Sequence, residues 1–571
     1  MADIITIEFE GQPLAARAGE SLAAALTAHG IRGLRRTRDG SERGLFCGMG
    51  VCQECLVEVD GRPNRRACMT RVDRPLVVRR QNHAAPLAPD ATPQPPATID
   101  DLAILRPELL VIGAGPGGLS AAIAACKAGA DVLVVDERLS PGGQYFKPVA
   151  VEGADVSPPD AQHQEGLALV AEARAAGVAI RTGITVWGAF GPGDLAAHAA
   201  DGGTLRLMPR ATIIATGAYE RGWPVPGWQL PGVMTTGAAQ TLWRTARRLP
   251  GRRVLIAGNG PLNLQLAAEL VAGGADVVAL VEAAPHPVRG LASLAAMAMA
   301  APGLVADGIA YHARRLRGGV PMLHEMVVGA VAAAEDGLAI TLAPAGDPGV
   351  EIRRIVADVL CLGHGFEPSN ELLRALGCRH DVDEQQRRLV TWRDVAGRTS
   401  VAGVYALGDC TAMGGARVAM ADGVVTGLAA AADLGHAIPP ALARSGRDAA
   451  ARAARHRRFQ QALWRVYQAP PQQMAAVADT TLLCRCEQIS FGTARAVLAE
   501  GVGAGGPGAA GAIKRATRIG MGPCQGRYCR PLLEALIRET TGRPEAERSG
   551  FAPRPPVRPI AIRDLAAWTD K

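Results

Sequence analysis

Residues 109–118 of this chain read Leu-Leu-Val-Ile-Gly-Ala-Gly-Pro-Gly-Gly, and this stretch decides the fold class. A continuous apolar run is typical of a strand buried in a parallel sheet, and here it leads directly into a glycine-rich turn. A helical pattern and a second apolar run, which ends at Asp136, follow. Gly113 permits the tight turn, Gly115 lets a pyrophosphate approach, and Gly118 lets helix and strand pack closely. The sequence therefore predicts an α/β fold with a Rossmann-type dinucleotide unit.

The carboxylate of Asp136 lies where it can accept hydrogen bonds from a ribose, and the helix N-terminus favours the phosphates. Two later apolar strands end in short polar motifs, whose residues are Thr216, Gly217, Gly408 and Asp409. These segments resemble the strands that close the FAD site in two-dinucleotide flavoproteins. The resemblance implies FAD at this site, with Asp409 against the ribityl–phosphate region.

A second strand–turn–helix unit begins at Arg252 and contains the turn Ala-Gly-Asn-Gly-Pro-Leu-Asn. It keeps Gly258 and Gly260 but has Asn263 in place of the third glycine, which we expect to loosen helix–strand packing. Its second strand ends at Glu282, an acid that suits an unphosphorylated ribose. Two interpretations stay open: a site for NAD or another adenine nucleotide, and a Rossmann unit kept for packing.

Near the N-terminus, four cysteines are spaced C-x4-C-x2-C-x12-C: Cys47, Cys52, Cys55 and Cys68. The first three positions match the plant-type [2Fe–2S] spacing. Four thiolates also suit tetrahedral zinc. The loop contains Gly44, Gly48 and Gly50, which allow backbone N–H groups to face sulfides, and a cluster needs this while zinc does not. We therefore predict a [2Fe–2S] cluster here.

A second quartet near the C-terminus is spaced C-x-C-x37-C-x4-C: Cys484, Cys486, Cys524 and Cys529. It resembles the bacterioferritin-associated ferredoxin (BFD) type, although the last spacing is x4 where that ferredoxin has x2. The prediction is a second [2Fe–2S] cluster, with zinc as the alternative.

The other cysteines, Cys126, Cys361, Cys378 and Cys410, stand alone and are interpreted as buried small residues. A dithiol reductase is disfavoured because no cysteine pair lies near the flavin motifs. His364 is the best histidine candidate, but a single glycine-flanked histidine is more often structural. No side chain is assigned an acid–base role, and the catalytic residues stay unknown.

The net charge is +7, and only four of the 61 basic residues are lysines. The basic residues are scattered and lack aromatic interleaving, so we predict no nucleic-acid partner. No transmembrane segment and no signal peptide are predicted. Cysteines grouped for clusters favour a reducing, cytoplasmic location.

Taken together, the chain resembles a fused A+B form of the hydrogen cyanide synthase and opine oxidase family. It is also similar to the α subunits of heteromeric sarcosine oxidase and proline dehydrogenase. The resemblance rests on the first cysteine loop, on Pro141-Gly-Gly-Gln144, on Pro226–Val233 and on Gly522–Arg527. It implies that Gln144 belongs to the cofactor site.

The chain is accordingly divided into seven segments. These are a β-grasp ferredoxin-like domain (1–83), a Pro/Ala-rich linker (84–105), a discontinuous FAD domain (106–250 and 352–436), an inserted nucleotide-binding-like domain (251–351), a helical connector (437–477), an α-rich BFD-like domain (478–545) and a tail (546–571).

The family resemblance implies a division of labour. A separate β subunit, similar to D-amino-acid oxidase, would bind the substrate, and this chain would pass electrons through FAD and clusters to a protein or quinone acceptor. It also implies a hetero-oligomer, leaves open an FMN at a subunit interface, and allows peripheral membrane association through partners. The main hypothesis is an α-type subunit of an amine, opine or secondary-amino-acid dehydrogenase. The alternatives are a stand-alone NAD(P)H-dependent flavin reductase and a non-enzymatic electron carrier.

Overall fold

The computed structural model describes most of the chain, with several short gaps. The described residues are 3–82, 103–151, 153, 160–200, 202–383, 386–501, 509–542, 551–566 and 568. Nearly all of the predicted linker lies outside them, as do residues 502–508 of the Gly/Ala-rich stretch and parts of the tail. Within these ranges, no helix is both long and apolar enough to span a bilayer.

The N-terminal domain is a mixed five-stranded sheet crossed by one helix, which is the β-grasp arrangement. The strands, from edge to edge, are Gln12–Arg17, Ile4–Phe9, Val77–Arg80, Leu56–Val59 and Arg62–Arg66, with a short pair at Arg35–Arg36 and Glu42–Arg43. The helix Leu22–Ala28 is capped by Ser21, whose hydroxyl accepts a hydrogen bond from the backbone of Ala24.

The first dinucleotide unit is a parallel five-stranded sheet with helices packed on it. Its strands, in spatial order, are Ala179–Thr182, Val132–Asp136, Leu109–Ile112, Ala211–Ile214 and Val404–Ala406. Its helices are Pro116–Lys127, Gly143–Phe146, Ala161–Ala175 and Gly415–Asp433, with a 3-10 turn at Gly408–Cys410. The central strand is buried along its length, which explains its continuous apolar run.

A smaller sheet flanks this unit. Its strands are Ile184–Gly191, Asp194–Ala199, Thr204–Leu207 and Ala103–Leu105. The tail joins it, because the backbone N–H of Val557 donates to the carbonyl of Trp187 at 2.7 Å. Phe551, at the start of the described tail, packs against Gly520 and Gly526, so the tail contacts both this sheet and the C-terminal region.

The second dinucleotide unit has its own parallel sheet. Its strands, in spatial order, are Val233–Thr235, Val359–Gly363, Arg253–Gly258, Asp276–Glu282 and Met322–His324. Its helices are Thr236–Ala246, Pro261–Ala272, Leu291–Ala300 and Pro302–Arg317, with a 3-10 turn at Pro287–Gly290. An antiparallel sheet, Met326–Ala334, Gly337–Pro344 and Arg353–Ala357, extends it.

The boundaries of this unit differ from the predicted insert, 251–351. The strands Val233–Thr235 and Val359–Gly363 pair with each other in the second sheet, although both were expected in the FAD domain. The reason is that these apolar strands have no signature of their own, and only pairing decides which sheet they join.

The remaining elements connect the units and form the C-terminal region. Two short strand pairs are Ala218–Glu220 with Phe366–Pro368 and His380–Asp383 with Arg388–Thr391, and a short helix spans Glu371–Ala375. A long helix, Pro440–Val466, occupies the predicted connector and is followed by a 3-10 turn at Met474–Ala476. The C-terminal elements are the strands Leu482–Cys484 and Ile489–Ser490 and the helices Phe491–Ala499, Ala509–Thr517, Cys529–Thr541 and Ile562–Ala566.

The two cysteine-bearing ends of the chain pack into one hydrophobic core. Phe46 and Cys52 from the N-terminal domain share this core with Trp228, Cys484 and Tyr528. The N-terminal domain is therefore docked in the molecule, whereas the linker-like sequence predicted a tethered domain. The contact explains why the N-terminal cysteine loop carries apolar residues.

Candidate functional site

The first glycine turn leaves an open cradle at a helix N-terminus. Gly113 has a φ of +112°, and a Cβ at Gly118 would lie 1.9 Å from the carbonyl oxygen of Gly113. At Gly115, by contrast, the nearest atom to such a Cβ would be the Cα of Gly143, at 3.9 Å. The turn and the packing therefore require glycine at 113 and 118, while Gly115 leaves room for a ligand.

Asp136 braces the turn and also faces the space in front of it. Its Oδ2 accepts a hydrogen bond from the backbone N–H of Ala114 at 2.6 Å, and its Oδ1 accepts one from the backbone N–H of Arg138 at 2.8 Å. Burial raises the pKa of this carboxyl. The position matches the one expected for a ribose-binding acid.

The two later strand ends meet the same space. Thr216 donates its hydroxyl hydrogen to the carbonyl of Ser369 at 2.6 Å, which fixes the end of its strand. Asp409 accepts hydrogen bonds from the backbone N–H groups of Gly414 and Gly415, both at 2.9 Å. Burial raises the pKa of Asp409. Segments far apart in sequence thus converge at the carboxyl ends of the parallel strands.

One cavity of about 660 Å³ lies in front of these elements. Most of the predicted cofactor residues line it, namely Gly113, Gly115, Asp136, Gln144, Thr216, Gly217, Gly408, Asp409 and Gly260. Three predicted residues, Gly118, Gly258 and Glu282, are not among the described residues that line it. Cys47 and Met49 of the N-terminal cysteine loop also line the cavity. The predicted flavin site and the first cysteine quartet therefore share one space.

A buried cation–carboxylate pair, Lys147 and Glu220, lines the same cavity. The ammonium group of Lys147 donates to the carbonyl of Gly237 at 3.0 Å and to the side-chain oxygen of Gln240 at 2.9 Å. Glu220 accepts from the backbone N–H of Gly237 at 2.9 Å. Burial lowers the pKa of Lys147 to about 7 and raises that of Glu220 to about 7. Sequence reasoning missed this pair, although Lys147 is one of only four lysines in the chain.

The second glycine turn borders the same cavity, but a tryptophan packs against it. A Cβ at Gly260 would lie 3.4 Å from the indole ring of Trp464, which the long helix Pro440–Val466 carries. Glu282 accepts hydrogen bonds from the backbone N–H groups of Gly260 and Ala284, and its exposed fraction is 2%. Burial raises the pKa of Glu282 to about 8. Of the two features expected to meet an adenine nucleotide, the turn lines the cavity beside Trp464, whereas the acid is buried and is not among the described residues that line the cavity.

Asn263 tightens the second unit, contrary to the expectation that it loosens the packing. Its side-chain amide donates to the carbonyl of Gly363 at 2.9 Å and accepts from the hydroxyl of Thr236 at 2.8 Å. The side chain is 1% exposed. The asparagine joins its helix to a strand and to a second helix, so hydrogen bonds replace the close approach that a glycine would give.

The four N-terminal cysteines lie together as two contacting pairs. Cys47 contacts Cys52, and Cys55 contacts Cys68. The sulfur of Cys47 accepts backbone N–H groups from Met49 at 3.5 Å and Cys52 at 3.4 Å. Burial acts to raise the pKa of Cys47, but the hydrogen bonds outweigh it and lower the pKa to about 6. These residues fit a [2Fe–2S] cluster, in which each iron takes two thiolates.

The four C-terminal cysteines also converge. The sulfur of Cys486 lies 3.8 Å from that of Cys484 and 3.7 Å from that of Cys524, and Cys484 contacts Cys529. A Cβ at Gly522 would lie 2.4 Å from the sulfur of Cys486, so a glycine is required there. The convergence of four thiolates suits a [2Fe–2S] cluster and also a tetrahedral zinc ion, so both predicted alternatives stay open.

The isolated residues take no part in these sites. Cys361, Cys378 and Cys410 are buried in the strands and turns of the two dinucleotide units, and Cys126 is half-buried. The ring of His364 stacks on Trp223 with centroids 3.7 Å apart, and burial lowers the pKa of this histidine to about 3. A neutral, half-buried histidine that stacks on a tryptophan is structural.

Two family models match the chain. One is the pyridine nucleotide-disulphide oxidoreductase family, over residues 107–423. The other is the 2Fe-2S iron-sulfur cluster binding domain, over residues 2–83. The structure of L-proline dehydrogenase from P. horikoshii superposes with a TM-score of 0.70 at 18% identity, covering 99% of this chain and 98% of that one. This likeness confirms the α/β fold.

Curated relatives match long stretches of the sequence. The A-type polypeptide of opine oxidase from Rhizobium meliloti is 34% identical over 464 residues, which are 80% of this chain and 98% of that polypeptide. Hydrogen cyanide synthase of Pseudomonas aeruginosa matches through two of its subunits. HcnB is 30% identical over 80% of this chain and 97% of its own length, and HcnA is 56% identical over 12% and 65% respectively.

One chain thus matches two polypeptides that the synthase carries separately, which confirms the resemblance to a fused A+B form. In this chain a 2Fe-2S domain precedes a pyridine nucleotide-disulphide oxidoreductase fold. The chain belongs to the oxidoreductase family of opine oxidase A-type and hydrogen cyanide synthase B-type polypeptides.

Proposed function

We propose that this chain is the electron-transfer subunit of a heteromeric dehydrogenase that acts on a CH–NH donor such as an amine, an opine or a secondary amino acid. The observation that carries the proposal is the shared cavity. The first glycine turn and the N-terminal cysteine loop both line it. A flavin held there would stand directly beside a one-electron carrier, which suits a relay.

The residues around the first turn fit FAD. When bound, FAD accepts two electrons and releases them singly. Gly113 and Gly115 would hold its pyrophosphate, Asp136 its ribose, and Asp409 its ribityl–phosphate region, with Gln144, Thr216 and Gly217 closing the site. Lys147 and Glu220 would hold and release a proton within the cavity, because both groups titrate near neutral pH.

The C-terminal quartet is proposed to hold a second [2Fe–2S] cluster in a small BFD-like domain. Its α-rich elements and the convergence of four cysteines support this, and zinc is the alternative. The other predicted segments, with the second unit enlarged to include the strands Val233–Thr235 and Val359–Gly363, complete the proposed domain organisation.

The second dinucleotide unit is proposed to serve as a scaffold. Trp464 covers its turn, and Glu282 is bonded to backbone within it. This arrangement argues against a stand-alone NAD(P)H reductase and against NAD or another adenine nucleotide at that turn.

Partners are proposed from the relatives. Opine oxidase and hydrogen cyanide synthase are named as multi-subunit enzymes, which supports a hetero-oligomer for this chain. The proposed donor is a D-amino-acid-oxidase-like β subunit, the proposed acceptor is a protein or a quinone, and FMN is proposed at the subunit interface. A cytoplasmic location, with membrane association only through partners, fits the reduced thiols.

The test uses the full-length chain, purified without oxygen. We expect one FAD and about four iron atoms per chain. The flavin absorbance should persist when NADH is added. It should bleach when an opine, sarcosine or L-proline is supplied together with the co-expressed β subunit. Rapid bleaching by NADH alone would contradict the proposal and favour the reductase.

Cysteine variants separate the two cluster sites. Cys52→Ser and Cys524→Ser should each lower the iron content by about two atoms per chain. The matched control is Cys378→Ser, since Cys378 is buried in the first unit and belongs to neither quartet. If Cys524→Ser releases zinc and leaves the iron content unchanged, the second cluster is excluded.

A further inference from the structure

We propose that Glu54 and Arg485 form the link that positions the two cysteine quartets for electron transfer, and that electrons pass from the N-terminal quartet to the C-terminal one. The inference deepens the proposed function and rests on it, because both quartets need to hold clusters. Glu54 lies between Cys52 and Cys55, and Arg485 lies between Cys484 and Cys486. Each residue is thus part of a ligand loop.

The two side chains form an ion pair in the interior. The Nε of Arg485 donates to Oε1 of Glu54 at 3.0 Å, and their side chains are 5% and 1% exposed. The guanidinium also donates to the carbonyl of Trp228 at 2.7 Å and lies over the ring of Phe46, 3.7 Å from its centroid. Glu54 also contacts a predicted cluster ligand directly, because its backbone N–H donates to the sulfur of Cys52 at 3.4 Å.

An aromatic contact runs beside the ion pair. Phe46 directly precedes Cys47, and Tyr528 directly precedes Cys529. Their rings meet edge-on with centroids 5.3 Å apart. A small cavity at the same place is lined by Cys52 and Glu54 together with the four C-terminal cysteines, Arg485 and Tyr528. The quartets are therefore neighbours, joined by packed and hydrogen-bonded groups.

The cavities give the order of the stations. Cys47 lines the large flavin cavity, and Cys52 lines the small cavity at the C-terminal quartet. Among the described residues around the flavin cavity, none is a cysteine of the C-terminal quartet. The C-terminal ligand loop reaches the flavin cavity through Arg527, whereas the N-terminal loop reaches it through a cluster cysteine, so the N-terminal quartet is the first station after the flavin.

The order of the stations gives the direction, and the charges tune the reduction potential at each station. A carboxylate in the N-terminal ligand loop disfavours the added electron there, and a guanidinium in the C-terminal loop favours it, in an interior that screens weakly. Arg35 donates a hydrogen bond to Glu54 at 2.7 Å, and Arg43 lies nearby. The carboxylate of Glu54 offsets these two positive charges, which on their own would stabilise the reduced N-terminal cluster. Each transfer oxidises the N-terminal cluster by one electron and reduces the C-terminal cluster by one, with no bond made or broken.

The test is a redox titration of the anaerobic full-length chain, followed by electron paramagnetic resonance. Glu54→Gln should raise the midpoint potential of the N-terminal cluster, and Arg485→Gln should lower that of the C-terminal cluster. Arg485→Gln should also slow the reduction of the C-terminal cluster by about tenfold in rapid-freeze experiments, since it removes both the charge and the contact. Arg485→Lys, which keeps the charge, should retain most of the potential.

The matched control is Arg518→Gln. Arg518 pairs with Glu487 of the same loop at 3.0 Å, but its side chain is 68% exposed, so solvent screens it. Iron content and thermal unfolding confirm that each variant is folded and loaded. If Glu54→Gln and Arg485→Gln carry both clusters and show unchanged potentials and transfer rates, the role of the ion pair is refuted while the proposed function stands. If the native chain contains only two iron atoms, the proposed second cluster is refuted, and the role of the ion pair with it.

Discussion

In the first dinucleotide unit the second glycine of the turn, Gly115, faces an open cavity, whereas the equivalent Gly260 of the second unit lies under Trp464. The acid that ends the second strand differs in the same way. Both acids accept hydrogen bonds from backbone N–H groups, but Asp136 lines the cavity, and Glu282, which is 2% exposed, is not among the described residues that line it. The two units share a strand–turn–helix path and both turns border the cavity, but only the first turn has open space beside its second glycine.

The difference shows that a dinucleotide fold and a dinucleotide site are separate properties. The fold needs the buried strands and a helix that packs on them, and both units have these. The site also needs free backbone N–H groups and space, and the long helix Pro440–Val466 narrows that space at the second turn by placing Trp464 against Gly260. Three substitutions test this comparison.

The largest effect is expected for Gly118→Ala in the first unit. The added Cβ would lie 1.9 Å from the carbonyl oxygen of Gly113, and backbone cannot move away cheaply. We expect the free energy of unfolding to fall by about 4 kcal/mol or more, with loss of bound flavin. Thermal unfolding and flavin absorbance measure both. Gly115→Ala is the control: it has room, so it should fold normally while binding flavin more weakly. Native-like stability of Gly118→Ala would contradict the packing role.

A smaller decrease in the free energy of unfolding is expected for Asn263→Gly, which restores the third glycine of the dinucleotide fingerprint. The variant loses two buried hydrogen bonds, worth about 1 kcal/mol each, and only a few tenths of a kcal/mol of helix propensity, because asparagine is itself a weak helix former. Urea unfolding should therefore show that the free energy of unfolding falls by about 2 kcal/mol. Asn263→Ala separates the two causes, because it removes the hydrogen bonds and keeps the propensity. A more stable glycine variant that binds NADH would show that the asparagine weakens a nucleotide site.

The smallest effect concerns pH and Glu282→Gln. Burial raises the pKa of Glu282 to about 8, whereas this carboxyl ionises near about 4.5 when unfolded. Between about pH 4.5 and about pH 8 the Glu282 carboxyl is protonated in the native state and ionised in the unfolded state. The contribution of this proton to the free energy of unfolding is therefore complete at low pH and is lost as the pH rises. Between pH 6 and pH 7 the free energy of unfolding should fall by about 1 kcal/mol more in the native protein than in Glu282→Gln. Asp276→Asn, exposed on the same strand, is the control. Parallel pH profiles for native and Glu282→Gln would refute the assignment.

Much of the fold could be predicted from local pattern. The turn at Gly113–Gly118 and the spacing of each cysteine quartet are encoded within short stretches, because a tight turn or a cluster demands particular residues at fixed separations. The edges of the second unit could not be predicted. Val233–Thr235 and Val359–Gly363 are apolar strands that would fit either sheet, and pairing alone places them.

The sequence by itself determined the fold class, the family and the N-terminal 2Fe-2S domain, since these follow from residue types and spacing along the chain. Only the tertiary structure decided that Trp464 packs against the second turn and that Glu54 meets Arg485. The latter pair is separated by 431 positions. Contacts over such separations depend on how whole domains pack, and no local periodicity encodes them. The same packing turned two separate cysteine motifs into neighbouring sites beside one cavity.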